Sequence, residues 1–221
     1  MKKILLLLAA FIVHAELKAQ KKSFSPLYQT QLHISPLGLL DVIEHNVSAG
    51  FDTKVANRLY AGADVSAYFW SSTYSKPLNG FAVRPMLRLY NKRLQTDYVE
   101  LVLMYKRTAL KEQGWLGMDC VNNVPSYEKF DTYKRIKEVY DISFRYGTRQ
   151  PFFSSGKWFY ECYFGIGIRH KQYTVKYNEA NSCMLDNGEV TLNFFGNSTG
   201  NTGRSTFFSL PCGFRLVRTI K

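Results

Sequence analysis

Ten charged residues recur at alternate positions of otherwise apolar segments in this chain: Asp64, Arg84, Arg88, Glu100, Lys106, Asp141, Arg145, Glu161, Arg169 and Arg215. Glycines share their face, among them Gly50, Gly62, Gly165, Gly167 and Gly213. Both signs of charge interleaved with residues that lack a side chain suit an enclosed ionic network. Buried charges have to be paired, and glycine weakens a strand, so a face turned to water has no need of this mixture. The chemistry expected of these residues is mutual neutralisation inside a crowded interior, with six cations facing four anions.

Other reactive side chains form weaker patterns. His14, His33, His45 and His170 share no metal-ligand spacing, and no serine sits in a nucleophile motif, so neither a cofactor nor an enzymatic activity is expected. Cys120 and Cys183 fall one in each of the two longest polar segments, about 111–137 and 178–204, where a bridge is open to them and two independent thiols are the alternative. The first of these segments also carries Trp115, Tyr127, Phe130 and Tyr133 among Lys129, Lys134, Arg135 and Lys137. Such a mixture serves equally as a contact surface for a glycan, lipopolysaccharide or protein and as a self-packed loop cap.

The elements that must position these groups are strands. From Trp158 to Tyr177, Tyr160, Cys162, Phe164, Ile166 and Ile168 alternate with Glu161, Tyr163, Gly165, Gly167 and Arg169. A period of two sustained over that length specifies a long strand with one apolar and one polar face. The same pattern recurs from Tyr28 to Ser35, Asn46 to Phe51, Arg58 to Trp70, Phe81 to Tyr90, Tyr98 to Thr108, Tyr140 to Gly147 and Phe208 to Leu216. Connections after the second, fourth and sixth strands are short, and those after the third, fifth and seventh are longer. In an up-and-down arrangement the long ones share one rim. A basic ring of Lys54, Arg58, Lys92, Arg93, Arg149, Lys157, Arg218 and Lys221 is expected at the other rim. Pro85 and Pro211 fall inside strands, and a bulge is expected at each. If the last two strands form a hairpin, their opposed positions place Cys162 and Cys212 about eight residues apart along the ladder, roughly 26 Å, too far to bond.

Composition sets the compartment. Residues 1–19 open with Met1-Lys2-Lys3 and the apolar run Ile4 to Val13, the layout of a secretory signal peptide, leaving a single domain over 20–221. Removing them lowers the formal charge from +12 to +10. A basic exported β-protein points to anionic lipid before nucleic acid, and no nucleic-acid-binding motif is present. The fold expected is all-β, an eight-stranded antiparallel up-and-down transmembrane β-barrel in the outer membrane, with outer-membrane lipid and lipopolysaccharide as its surroundings. The alternative is a soluble exported lipocalin-like barrel that binds an apolar small molecule.

Four segments add a resemblance: Ser35-Pro-Leu-Gly-Leu-Leu-Asp41, Val83-Arg-Pro-Met-Leu-Arg-Leu-Tyr90, Tyr98-Val-Glu-Leu-Val-Leu-Met-Tyr-Lys-Arg107 and Phe164-Gly-Ile-Gly-Ile-Arg169. In their order and spacing the chain resembles an uncharacterised outer-membrane β-barrel family of Bacteroidota-type bacteria. The resemblance implies an exported barrel with a structural or surface-interaction role and supplies no catalytic residues.

Overall fold

The computed structural model describes residues 29–40, 44–72, 76–91, 96–122, 124–152, 157–177, 182–184 and 203–220. The expected leader at 1–19, most of the segment 178–204, and Lys92, Arg93 and Lys221 of the basic ring lie outside them. The strands are β1 (Thr30–Ser35), β2 (Glu44–Ala56), β3 (Leu59–Ser71), β4 (Lys76–Tyr90), β5 (Asp97–Met118), β6 (Tyr127–Pro151), β7 (Trp158–Lys176), the two-residue β8 (Cys183–Met184), β9 (Gly203–Ser209) and β10 (Cys212–Ile220). A 3-10 turn, Pro36–Leu40, follows β1.

All pairing is antiparallel. Strands β1 to β7 pair in chain order, β9 and β10 both pair with β7, and β10 pairs with β1. The result is a closed ring of eight positions, the eighth shared end to end by β9 and β10. Followed from Leu216 through Ile34, Ala49, Val65, Val83, Tyr105, Tyr140 and His170, the register arrives at Thr206, ten residues back along the eighth position. For eight strands that stagger means a tilt of roughly 40° from the ring axis.

The alternating pattern resolves into an inside and an outside. Outward positions carry apolar side chains left exposed, including Leu32, Phe51, Val65, Leu87, Leu103, Phe144 and Ile166. Inward positions are buried and polar or aromatic: Gln31, Asp52, Asp64, Arg88, Glu100, Arg145, Arg149, Glu161 and Arg215, with Tyr60, Tyr90 and Tyr98.

Several expectations change. The segment 111–137 is not a long loop, because β5 and β6 continue through it and pair up to Met118↔Tyr127. Only residues 119–126 connect them. Likewise β4 begins at Lys76, so a four-residue link replaces the Ser71–Gly80 loop. Neither proline makes a bulge. Val83↔Tyr105 and Met86↔Val102 keep one register across Pro85, and Gly167↔Ser209 and Cys212↔Phe164 keep one across Pro211. At Pro211 the chain leaves the ladder without inserting a residue, which is why β9 and β10 are separate strands. The register shifts lie between His45 and Asn46, Lys54 and Ala56, and Tyr68 and Trp70. The hairpin register also moves. Cys162 faces Phe214 and Cys212 faces Phe164, so the two thiols sit two residues apart along the ladder instead of eight, both free and exposed.

The interior glycines make room for rings. Gly147 pairs with Tyr98 on one side and Tyr163 on the other, and a Cβ at Gly147 would collide with the Tyr98 ring. Gly50 lies between His33 and Asp64, which meet across it. A Gly147→Val substitution is therefore expected to displace Tyr98 and lower stability by about 1–3 kcal/mol, as other overpacked sites do. Urea unfolding of the folded protein checks this, with Gly203→Val, which has open space around it, leaving the midpoint unchanged.

Candidate functional site

The interior is built from strand residues that alternation aims inward, and it falls into two levels. The lower level, nearer the rim that holds the 57–58 turn and the end of β10, is a closed ionic network. Arg88 has no exposure to solvent and meets three carboxylates. Its Nε and Nη2 donate to Glu100 Oε2 at 3.2 and 3.1 Å, and its Nη1 donates to Glu161 Oε1 at 3.1 Å. Asp52 Oδ2 stands 3.1 Å from the same Nη1 as an ion pair outside hydrogen-bond geometry.

Arg215 is the second hub. Its Nη1 and Nη2 each donate to a Glu100 oxygen at 3.1 Å, and Nη2 also donates to Asp64 Oδ2 at 3.3 Å. Arg145 reaches Glu100 Oε1 at 3.5 Å. The guanidinium groups of Arg88 and Arg215 also lie over the rings of Tyr98 and Tyr163, at 4.2 and 4.5 Å from their centroids. His33 touches Asp64 and lies 3.9 Å from Asp52. With Arg149, four buried guanidinium groups stand among four buried carboxylates, Asp52, Asp64, Glu100 and Glu161. That balance is what a low-dielectric interior requires, because an unpaired charge there costs several kcal/mol.

Arg149 corrects the expected basic ring. It points inward instead of lying on the rim, donating to Gln31 Oε1 and the Tyr90 hydroxyl, both at 3.3 Å, and stacking 4.6 Å from the Phe159 ring centre. Beside it Tyr60, Tyr90 and Tyr98 pack edge to face and close the lower end.

The upper level is looser. It holds the other expected interior charges, Arg84, Lys106, Asp141 and Arg169, with Lys171 on the same polar face of β7 as Arg169, and two from outside the expected network, Glu44 and Lys137. Lys106 and Lys137 both pair with Glu44, the latter at 3.0 Å. Arg169 and Ser209 donate to Asp141 Oδ2 at 3.0 and 2.8 Å. Arg84 donates to two neutral oxygens, the hydroxyls of Ser66 and Tyr68. Glu44, Tyr68, Arg84, Lys106, Lys137, Arg169 and Lys171 border a cavity of about 420 Å³.

Above it the β5–β6 hairpin projects as a two-stranded arm. Trp115, Tyr127 and Phe130 are exposed, with Trp115 and Phe130 paired across the strands at 5.7 Å between ring centres. Tyr133, grouped with them in the expected contact surface, is instead buried against Leu116 and Met118 and donates to Glu112 Oε2 at 2.8 Å. Burial and the Glu112 carboxylate push its hydroxyl up to about 12, so it remains a donor at neutral pH. Cys120 and Cys183 are bonded, tying β8 to the tip of the arm.

No family model matches this chain, and no curated protein or solved structure is similar to it.

Two outcomes follow. Arg215→Met would leave Glu100 and Asp64 short of a partner, and a loss of about 3–5 kcal/mol is expected in urea unfolding. Arg215→Lys should recover only part of it, because a lysine cannot grip both Glu100 oxygens. Equal stability of the two variants would contradict the bidentate role. For the cysteines, non-reducing peptide mapping should recover one linked pair, Cys120 with Cys183, and alkylated Cys162 and Cys212.

Proposed function

We propose that this chain is a small outer-membrane β-barrel with a structural or surface-interaction role, its lower interior plugged so that it is not a general pore. One observation carries the reading: apolar side chains face outward on every strand of the ring while the inward positions hold charge. In water that arrangement exposes the surface a fold ordinarily buries, and in lipid it buries it.

The arm supports the same reading. Along β5 the outward face turns more polar from Arg107 on, with Lys111 and Gln113 exposed before Trp115, while the inward face holds Leu110 and Leu116 beside Glu112. An apolar outer band that stops partway up a strand and gives way to polar residues has the limited height of a hydrocarbon layer. The two-residue 57–58 turn and the links 91–96 and 152–157 lie at one rim and the arm at the other, the asymmetry of periplasmic turns and extracellular loops. The expected leader and the family resemblance point the same way. On this reading the membrane lipid and lipopolysaccharide surround the band, and exposed Trp115, Tyr127 and Phe130 offer the arm's contact surface to a glycan or protein. The lipocalin-like alternative needs an apolar interior, and Arg88, Arg215 and their carboxylates occupy it instead.

Fractionation of cells that make the protein tests the proposal. Recovery with the envelope and release only by detergent are expected, together with faster migration of unheated samples in dodecyl sulfate gels. Recovery in the soluble fraction would overturn it. In planar bilayers the folded protein should leave conductance at background, and discrete steps would contradict the plug.

A further inference from the structure

Among the described residues, the ring wall is incomplete at the level of the upper cavity. Strands β1 and β10 pair only from Thr30↔Ile220 to Ile34↔Leu216. Above that point, among the described residues, no strand pairs with β2 on the side away from β3, nor with β9 on the side away from β7. The 3-10 turn Pro36–Leu40 stands in the gap, and Pro211 interrupts the facing strand.

The cavity runs into this seam. Its border includes Ser35, Leu37 and Gly38 on one side and the stretch from Pro211 to Phe214 on the other. Cys212 and Phe214 belong to the outward face of β10, and Gly213 and Arg215 to the inward one. Residues from both faces of β10, Cys212 and Phe214 as well as Gly213, thus border the same space as the inward Arg84 and Arg145, and the cavity reaches the seam.

Its two ends differ in chemistry. Inside stand five cations, Arg84, Lys106, Lys137, Arg169 and Lys171, and Arg145, whose charge is matched by Glu100 below, completes the border. Among the described residues the carboxylates at this level are Glu44, Asp64 and Asp141, and Asp64 is shared with Arg215 below. Among the described residues the cations at this level therefore outnumber the carboxylates, in contrast to the balanced network beneath. Hydroxyls of Ser48, Tyr68 and Tyr163 add hydrogen-bonding capacity. Outside, the seam is flanked by exposed Leu37, Leu39, Phe208 and Leu210.

We infer that this cavity is a binding site for the anionic headgroup of an amphiphile, phosphate-bearing by preference, whose acyl chains stay on the outer apolar face and whose head passes through the seam between β1 and β10. The lateral route rests on the membrane reading above. The anion site does not, since its charge and volume are properties of the cavity alone. Arginine suits phosphate because its planar fork donates two hydrogen bonds at once, and Arg84 spends its donors on neutral hydroxyls that a phosphate oxygen would outcompete.

The test reconstitutes the folded full chain into vesicles of equal parts phosphatidylcholine and phosphatidic acid, extracts it mildly and weighs retained lipid by native mass spectrometry. Wild type should retain phosphatidic acid in preference by about tenfold or more, the scale of one or two charge-assisted contacts. The Arg84→Gln/Lys171→Gln variant should lose that preference, and Lys54→Gln/Arg218→Gln, at the opposite rim, should keep it. Equal retention of the two lipids by wild type, or equal loss in both variants, would overturn the site, and the first readout needs no variant to fold. Calorimetry with inorganic pyrophosphate separates the sources. Weak binding of pyrophosphate beside tight retention of lipid supports the lateral route, whereas equally tight binding keeps the anion site and removes the acyl chains from it. Should the protein prove soluble without detergent, the pyrophosphate titration still decides the cavity.

Discussion

Everything in this fold depends on neutralising charge inside a ring too narrow for water to do so. Eight strands leave room for little beyond their own side chains, and here the inward positions of the lower half carry four guanidinium groups and four carboxylates. Arg88 and Arg215 each serve more than one carboxylate, and Glu100 accepts from both and from Arg145. The partners come from β2, β3, β4, β5, β6, β7 and β10, so the ion pairs tie strands that share no backbone hydrogen bonds. Such a network gives modest net stability for its desolvation cost. Its larger effect is on specificity: a one-residue slip of any strand would carry an Arg or Glu to the apolar exterior.

This requirement explains why the architecture was legible from sequence. Alternation identifies the two faces, and the interleaved Asp, Glu, Arg and Gly indicate which face is inside, as at Glu161, Gly165 and Gly167. The same logic failed where alternation runs into a turn. Asp52 lies just past the end of its expected strand and Arg149 on the expected basic rim, because apolar neighbours thin out around them, yet each continues its strand's parity inward and is fully buried. Extending the parity one to three residues past the last apolar position, Phe51 or Tyr146, finds both. His33 belongs to no local motif, since its partner Asp64 lies 31 positions away on a strand that β1 does not touch.

The arm was missed for a different reason. The reading assumed one polarity throughout, apolar outside, and ended β5 near Thr108. Beyond it both faces mix polar and apolar residues, with Lys111, Gln113 and Trp115 outward and Leu110, Glu112 and Leu116 inward, so the segment reads as mixed loop sequence. Prolines misled in the opposite direction. Pro85 faces outward and lacks ladder partners on the β5 side, but the strand absorbs the missing donor without an extra residue. A proline removes one hydrogen bond, and a bulge is needed only when the register itself must change.

The division of the interior into a sealed lower level and an open upper one follows from how the ring closes. β1 is six residues long, against thirteen or more for β2 to β7. Below Ser35 the wall is continuous, so side chains are held on all sides and charges pack at contact distance. Above it, one wall is a 3-10 turn and the facing strand is broken at Pro211, so inward residues lack an opposing surface and a void remains. Among the described residues, cations outnumber carboxylates around that void, and an excess of charge is tolerable where solvent can reach it. The short first strand thus fixes both where the interior is open and where unbalanced charge can be kept.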